Sequence, residues 1–325
     1  MTPPRGAHPH HCLAEDGTTL RGWRWDPPSI RGVVLIRTPY GAWRHAEAAL
    51  AWTRRGFRCI IQDVRGRHSS DGSWNPYLTE RRDGCATADA VAAENPGLPL
   101  VFSGGSYAAH TALEAAHSGH AQALALQVPA LGLAETAWDE QGEPQLWHRI
   151  GWWHQHARGP RSLPALSAAE LADRVERAAT IGAQKAAEEW GWPDGTLAGW
   201  RRLWSASRLD LRHEYGSVSV PLMLVRGDDD FFFSDAGLLA SAWQGPVHVV
   251  DGPWGHRLSA GITDETLRAR LKAAGGLGGV LDAWLAKNGL VAGDIADAVI
   301  DLPDSRRSRS VFDTDLGDWR HERTP

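Results

Sequence analysis

Ser106 stands between small residues, in Gly104-Gly105-Ser106-Tyr107-Ala108, directly after an apolar run at residues 98–102. A buried strand that turns sharply into a helix lifts a serine hydroxyl above a sheet, and glycines at 104 and 105 have a steric reason to be in so crowded a turn. A serine hydroxyl is a poor nucleophile at neutral pH, so it needs a base, and the base needs an acceptor that fixes its tautomer. Two later segments supply these groups in the chain order Ser, acid, His. An apolar run at 220–226 ends in Gly227-Asp228-Asp229-Asp230, and one at 247–251 leads into Gly252-Pro253-Trp254-Gly255-His256. Asp230 is the expected acid, because three steps after Gly227 the loop has left the strand and can turn a side chain back. Asp228 and Asp229 are the alternatives. A metal site made of all three is disfavoured, since adjacent side chains diverge. The chemistry such a set performs is acyl transfer, the opening of an ester or amide through an acyl-enzyme.

Strands are expected at 32–36, 57–62, 98–103, 121–128, 220–226 and 247–251, with helices at 43–55, 79–94, 107–118 and 234–243 between them. Continuous apolar strands alternating with amphipathic helices predict an α/β fold, a mostly parallel sheet covered on both faces. Reactive residues then collect on loops at the strand carboxyl ends. Asp16-Gly17 predicts an entry hairpin. From about 131 to 211 the alternation stops and the chain reads as helical, with eight of the 17 tryptophans and a capping-box pattern at Ser167 and Glu170. The expected organisation is a first core part at 1–131, a Trp-rich helical cap at 132–211, a second core part at 212–300 and an aperiodic tail at 301–325. Trp152 and Trp153 are adjacent, so on a helix they cannot share one interior, and one is expected to line a pocket or an interface.

The chain resembles the cocaine esterase and X-Pro dipeptidyl-peptidase group of α/β-hydrolases over most of residues 16–131 and 218–258. The resemblance is carried by Arg37-Thr38-Pro39-Tyr40, by Gln62-Asp63-Val64-Arg65-Gly66-Arg67 with Ser69 and Gly72, and by Asp83-Gly84, Ser106-Tyr107, Gly227 with Asp230, and Gly252-Pro253-Trp254 with His256. It implies a triad of Ser106, Asp230 and His256, an oxyanion hole from the backbone N–H of Tyr107 and the phenol of Tyr40, and no cofactor. The segment from Asp63 to Arg67 is expected to brace the site loops through an internal ion pair rather than to meet substrate. Two departures stand out. Ala108-Ala109 occupies a place where the family carries glycine. Larger relatives also have a carboxy-terminal β-sandwich, and the residues from Val311 to Thr314 with Trp319 and Arg320 look like its opening strand. Without that wall the pocket is expected to be open, or closed by the tail on a second subunit, which makes a homo-oligomer an expected partner state.

The net charge of -5, with both signs mixed along the chain, provides no broad basic surface for nucleic acid. The amino terminus lacks a signal-like apolar stretch and no run is long enough to span a bilayer, so a soluble cytoplasmic protein with no membrane partner is expected. Cys12, Cys59 and Cys85 predict neither a disulfide framework nor a zinc site, and His8, His10 and His11 are read as a solvated, proline-rich tail. The partner expected at the site is a small-molecule or short-peptide acyl substrate, with Trp152, Trp153 and Trp254 as candidate contacts. Three functions remain open: hydrolysis of an ester or amide, transfer or cyclisation from the same acyl-enzyme, and a non-catalytic binding protein on the same scaffold. Esters rank ahead of peptides, because nothing in the cap anchors a free amino terminus.

Overall fold

In the strand Gly32–Thr38 every residue is buried, which requires cover on both faces of a sheet. The computed structural model describes residues 3–290 and 300–324. The first two residues of the expected non-signal amino terminus, and residues 291–299 just before the expected core boundary, lie outside the described residues.

The chain enters through an antiparallel hairpin, β1 (Ala7–Leu13) and β2 (Thr19–Trp25), turned at Asp16-Gly17 with Gly17 at φ 79°. Strands and helices then alternate: β3 (Gly32–Thr38), α1 (Ala46–Arg54), β4 (Phe57–Asp63), α2 (Glu80–Glu94), β5 (Leu100–Gly105), α3 (Tyr107–Ala115) and β6 (Ala121–Gln127). A helical segment interrupts the alternation, with α4 (Leu133–Ala137), α5 (Leu146–His156), α6 (Ala168–Ile181), α7 (Ala183–Glu188) and α8 (Asp194–Ser205). Short α9 (Leu211–Tyr215) returns the chain to β7 (Leu222–Gly227), α10 (Phe233–Ala242) and β8 (Val247–Gly252). After α11 (Glu265–Ala273) and α12 (Gly276–Lys287) come β9 (Arg307–Asp313) and β10 (Asp318–Arg323). The strands form one 10-stranded sheet in the order β1-β2-β4-β3-β5-β6-β7-β8-β9-β10. It is parallel from β4 to β9, with antiparallel strands added at both edges. This is the α/β-hydrolase fold.

Alternation along β3 sorts the core into two halves. Val34 and Ile36 pack with Trp52 of α1 and with Leu271, Val280 and Trp284 of α11 and α12. Val33 and Leu35 pack with Val91 of α2, Leu113 of α3 and Leu239 of α10 on the opposite face. The interrupting helices have a separate core around Ile150, Trp153, Trp192, Trp200 and Leu203. Its indoles meet edge to face, Trp200 lying 5.8 Å from Trp153 and 5.2 Å from both Trp192 and Trp204. Ser167 starts α6 with a complete capping box, accepting from the Glu170 N–H while the Glu170 carboxylate accepts from the Ser167 N–H.

Two expectations are corrected. The histidine-rich amino-terminal stretch is strand β1 and not a solvated tail: His10 is 6% exposed and 3.2 Å from Glu94, and Cys12 packs with Leu20. Pro9 is tolerated because β1 is an edge strand, where a missing N–H breaks no inner ladder. The carboxy-terminal stretch is likewise not an aperiodic tail opening a second module. β9 pairs parallel with β8, and β10 returns beside β9 with Phe312 and Trp319 turned into the main core. Buried His248 joins the hairpin to β8 by holding Ser308 Oγ at 2.8 Å and Ser310 Oγ at 2.9 Å. Among the described residues no helix is long and apolar enough to cross a membrane.

Candidate active site

Ser106 links β5 to α3 with φ 57° and ψ -123°, a conformation that costs an L-residue energy and persists where its surroundings enforce it. The enforcement is visible. The Ser106 N–H donates to Gln127 O at 2.9 Å, holding the turn to the end of β6. A Cβ on Gly104 would lie 2.3 Å from the backbone of Ala108, so α3 closes directly over that residue. Gly105 differs from the sequence expectation, since a Cβ there meets nothing nearer than 3.6 Å. Strain gathers around this point. Among the described residues five non-glycine residues have positive φ; Tyr77, Ser106, Val128 and Leu258 line one cavity of about 400 Å³, and His68 does not.

The loop after β8 brings His256 to the serine, with Nε2 2.9 Å from Ser106 Oγ. The loop after β7 brings Asp230 to the other side of the ring, with Oδ1 2.8 Å from His256 Nδ1. A carboxylate can only accept, so Nδ1 carries the proton and Nε2 turns its lone pair to the serine hydroxyl. Asp230 is 6% exposed, whereas Asp228 and Asp229 are exposed on the outside of the loop. Phe231 stacks on the imidazole at 4.5 Å and Phe232 meets it edge-on at 5.4 Å, which fixes the plane of the ring.

Two donors face the same region. The N–H of Tyr107 is the first of α3, and no carbonyl of its own helix can reach it. The phenol of Tyr40 accepts a hydrogen bond from Trp152 Nε1 at 3.0 Å. An indole N–H can only donate, so this contact occupies an acceptor site on the phenol and leaves its proton free for another oxygen. Burial pushes the Tyr40 phenol above its ordinary pKa, against hydrogen bonding with Trp152 and Ser106, and keeps it a neutral donor.

A buried polar layer carries these groups. Arg37 Nε donates to Gln62 at 2.9 Å and Nη1 to the Glu80 carbonyl at 3.0 Å. Glu80 in turn accepts from the Tyr107 hydroxyl at 2.8 Å. The Asp63 carboxylate accepts from Ala42 N–H at 2.6 Å and from the Ser69 hydroxyl at 2.6 Å, fixing the loop after Tyr40. The internal ion pair expected of the Asp63 to Arg67 segment is made by Arg65, whose Nε and Nη2 donate to the Asp83 carboxylate at 2.8 and 2.6 Å. Arg67 instead donates to Pro39 O at 2.9 Å, to His156 O at 2.8 Å, to Gly159 O and to Ser162 Oγ at 3.0 Å. It clips the helical insertion to the loop that holds Tyr40, because its planar fork spans acceptors on both sides.

The three candidate tryptophans part company. Trp152 lines the cavity. Trp153, one residue on, points the other way into the insertion's own core and is 1% exposed. Trp254 also does not reach the cavity: its indole lies against Gly227 and Gly252, where a Cβ on either would collide with it, and Nε1 donates to Arg226 O at 2.9 Å. It wedges the Asp230 and His256 loops together from below. Residues that sequence reasoning missed are Tyr77, His148, Arg149, Phe231 and Phe232, all lining the cavity. A signal existed for α5, since His148, Trp152 and His156 recur every four residues and so share a helix face.

No curated protein matches the chain in sequence. Among solved structures it is similar to an aminopeptidase from the marine sediment archaeon Thaumarchaeota archaeon, with TM-score 0.71 and 17% identity over 98% of this chain and 60% of that one. It is similar to an α-amino acid ester hydrolase, with TM-score 0.62 and 15% identity over 97% of this chain and 58% of that one. An esterase of Pyrococcus furiosus gives TM-score 0.54 and 15% identity over 86% of this chain and 90% of that one. The chain thus spans about three-fifths of the length of the first two. Likeness at these identities establishes the shared fold. The sequence pattern of the X-Pro dipeptidyl-peptidase (S15) family matches residues 16–257, most of the length, and the chain belongs to that family.

Proposed function

We propose that this protein is a serine hydrolase that cleaves an ester or amide through an acyl-enzyme on Ser106. The observation that carries the reading is the continuous line from Ser106 Oγ through His256 to Asp230, with links of 2.9 and 2.8 Å, at a serine held in a strained turn. Ser106 Oγ attacks the acyl carbon as His256 Nε2 takes its proton, and Asp230 steadies the imidazolium. The negative oxygen of the tetrahedral intermediate accepts from the Tyr107 N–H and the Tyr40 hydroxyl. Collapse breaks the bond to the leaving group, which receives the proton from His256. Water then attacks the acyl-enzyme, its proton passing to His256 and on to Ser106 as the carboxylic acid leaves.

The substrate is a small acyl compound, sized to the cavity of about 400 Å³. The test is a panel of esters and amides varied in acyl chain and leaving group, followed by mass spectrometry with Ser106→Ala in parallel. Hydrolysis that drops about 10³-fold or more in the variant supports the reading. Products heavier than the free acid, or cyclised, would redirect it to acyl transfer, and turnover that survives at full rate would reject it.

A further inference from the structure

The cavity above Ser106 is lined by a buried charge that the acyl chemistry does not use. Arg149, on α5, lines the cavity and is 5% exposed. Its guanidinium lies 5.8 Å from the ring centre of Phe231 and 5.6 Å from that of Phe232, and the phenols of Tyr40 and Tyr77 are the ionisable groups that act on it. Among the described residues no carboxylate pairs with it, and its Nε is buried with no hydrogen-bond partner. Burial accordingly lowers its pKa. Two other buried guanidinium groups near the site have carboxylate partners: Arg37 reaches Gln62 and Glu80, although its Nη2 has no partner, and Arg65 forks onto Asp83. A buried cation without a counter-charge is costly, and aromatic faces compensate it only in part.

The rest of the wall offers no counter-charge, and burial holds His148 and His156 toward their neutral forms. His148, His156, His256 and Arg257 line the cavity with Arg149, and among the described residues no aspartate or glutamate does. An ammonium entering here meets no carboxylate, whereas a carboxylate meets a planar fork of donors shaped for it. The geometry points to Arg149 as the binding site for a carboxylate carried by the substrate, so that the enzyme selects esters or amides with an anionic group near the scissile bond. This rests on the acyl-substrate reading of the same cavity. It also separates the chain from any enzyme that grips a free amino terminus, because that grip requires an acidic side chain in the wall.

The test measures binding without turnover, in Ser106→Ala protein, by calorimetry with two matched pairs of ligands. Monomethyl glutarate against dimethyl glutarate puts the charge on the acyl side, and 4-acetoxybenzoate against its methyl ester puts it on the leaving-group side. The carboxylate is expected to bind roughly tenfold more tightly, or better, in one pair. That preference disappears when Arg149→Met is added, and Arg149→Lys, which keeps the charge and loses the fork, falls between. Equal binding in both pairs, undetectable binding of all four, or a preference that persists in Arg149→Met overturns the inference. If neither Arg149 variant folds, the comparison in Ser106→Ala protein decides it. Loss of the hydrolase reading is a different result, a wild-type protein with no Ser106-dependent turnover of any ester.

Discussion

Two neighbouring glycines should respond in opposite ways to the same added methyl. In Gly104→Ala the new Cβ lies 2.3 Å from both the carbonyl carbon and oxygen of Ala108, where ordinary contact starts at 3.4 Å. The obstacle is backbone in the first turn of α3, so about 1 Å must be found by moving that turn, and Ser106 moves with it. Overpacking of this kind costs about 1–3 kcal/mol. A misplacement of about 1 Å in a reacting group costs on the order of 10² in rate. In Gly105→Ala the nearest neighbour is 3.6 Å away and φ is not positive, so alanine fits. The smaller entropy of the unfolded chain then offsets any loss, and stability stays within about 1 kcal/mol. Urea unfolding curves compared at equal slope give the stabilities, and ester turnover gives the rate. Equal losses in the two variants, or an unharmed Gly104→Ala, would refute the account of the turn.

On the proposed mechanism Tyr40→Phe removes one donor to the tetrahedral oxygen and should lower kcat by about 10²–10³ with KM little changed, read from steady-state kinetics on a neutral ester; a loss under about threefold would exclude the phenol from the oxyanion site. His248 is held down to about 3 by burial between β8 and the terminal hairpin, well below the ordinary 6.5. The folded protein therefore binds fewer protons than the unfolded chain, and the stability contributed by the neutral ring is full above about pH 6.5 and is lost as pH falls toward 3, at about 1.4 kcal/mol per unit. Urea midpoints from pH 7 to 4 should fall less steeply in His248→Gln than in wild type, and identical slopes would remove His248 from the acid response. Arg67→Ala deprives His156 O, Gly159 O and Ser162 Oγ of their donor. Limited proteolysis between α5 and α6 should quicken by about tenfold, and an unchanged cleavage rate would show that the guanidinium does not hold that segment.

The parallel sheet was legible because its strands are unbroken apolar runs, and the reactive loops because glycines and acidic residues cluster where those runs stop. The edges were legible only in part: the turn at Asp16-Gly17 announced a hairpin, but the strand that leads into it and the place of β9 in the main sheet did not show. β1 contains Pro9 and three histidines, and β9 alternates Arg and Ser, so neither has the apolar content of an inner strand. Each forms because a neighbouring strand offers it a ladder and a few buried contacts, which is tertiary information. The sequence points to an ion pair somewhere in the segment from Asp63 to Arg67 and does not show what Arg67 itself holds. In space its donors reach carbonyls about 90 residues away, at His156 and Gly159. Trp254 was placed with substrate because it adjoins His256, yet the turn that aims the histidine outward sends the indole inward against two glycines. Adjacency along a loop sets opposite directions as readily as shared ones.

The most direct test of the whole account is covalent labelling of the folded protein with a fluorophosphonate, with the adduct mapped by peptide mass spectrometry. The account predicts one adduct, on Ser106, formed on the order of 10³-fold more slowly in His256→Ala. An adduct on any other residue, or a rate at Ser106 that does not depend on His256, would contradict it.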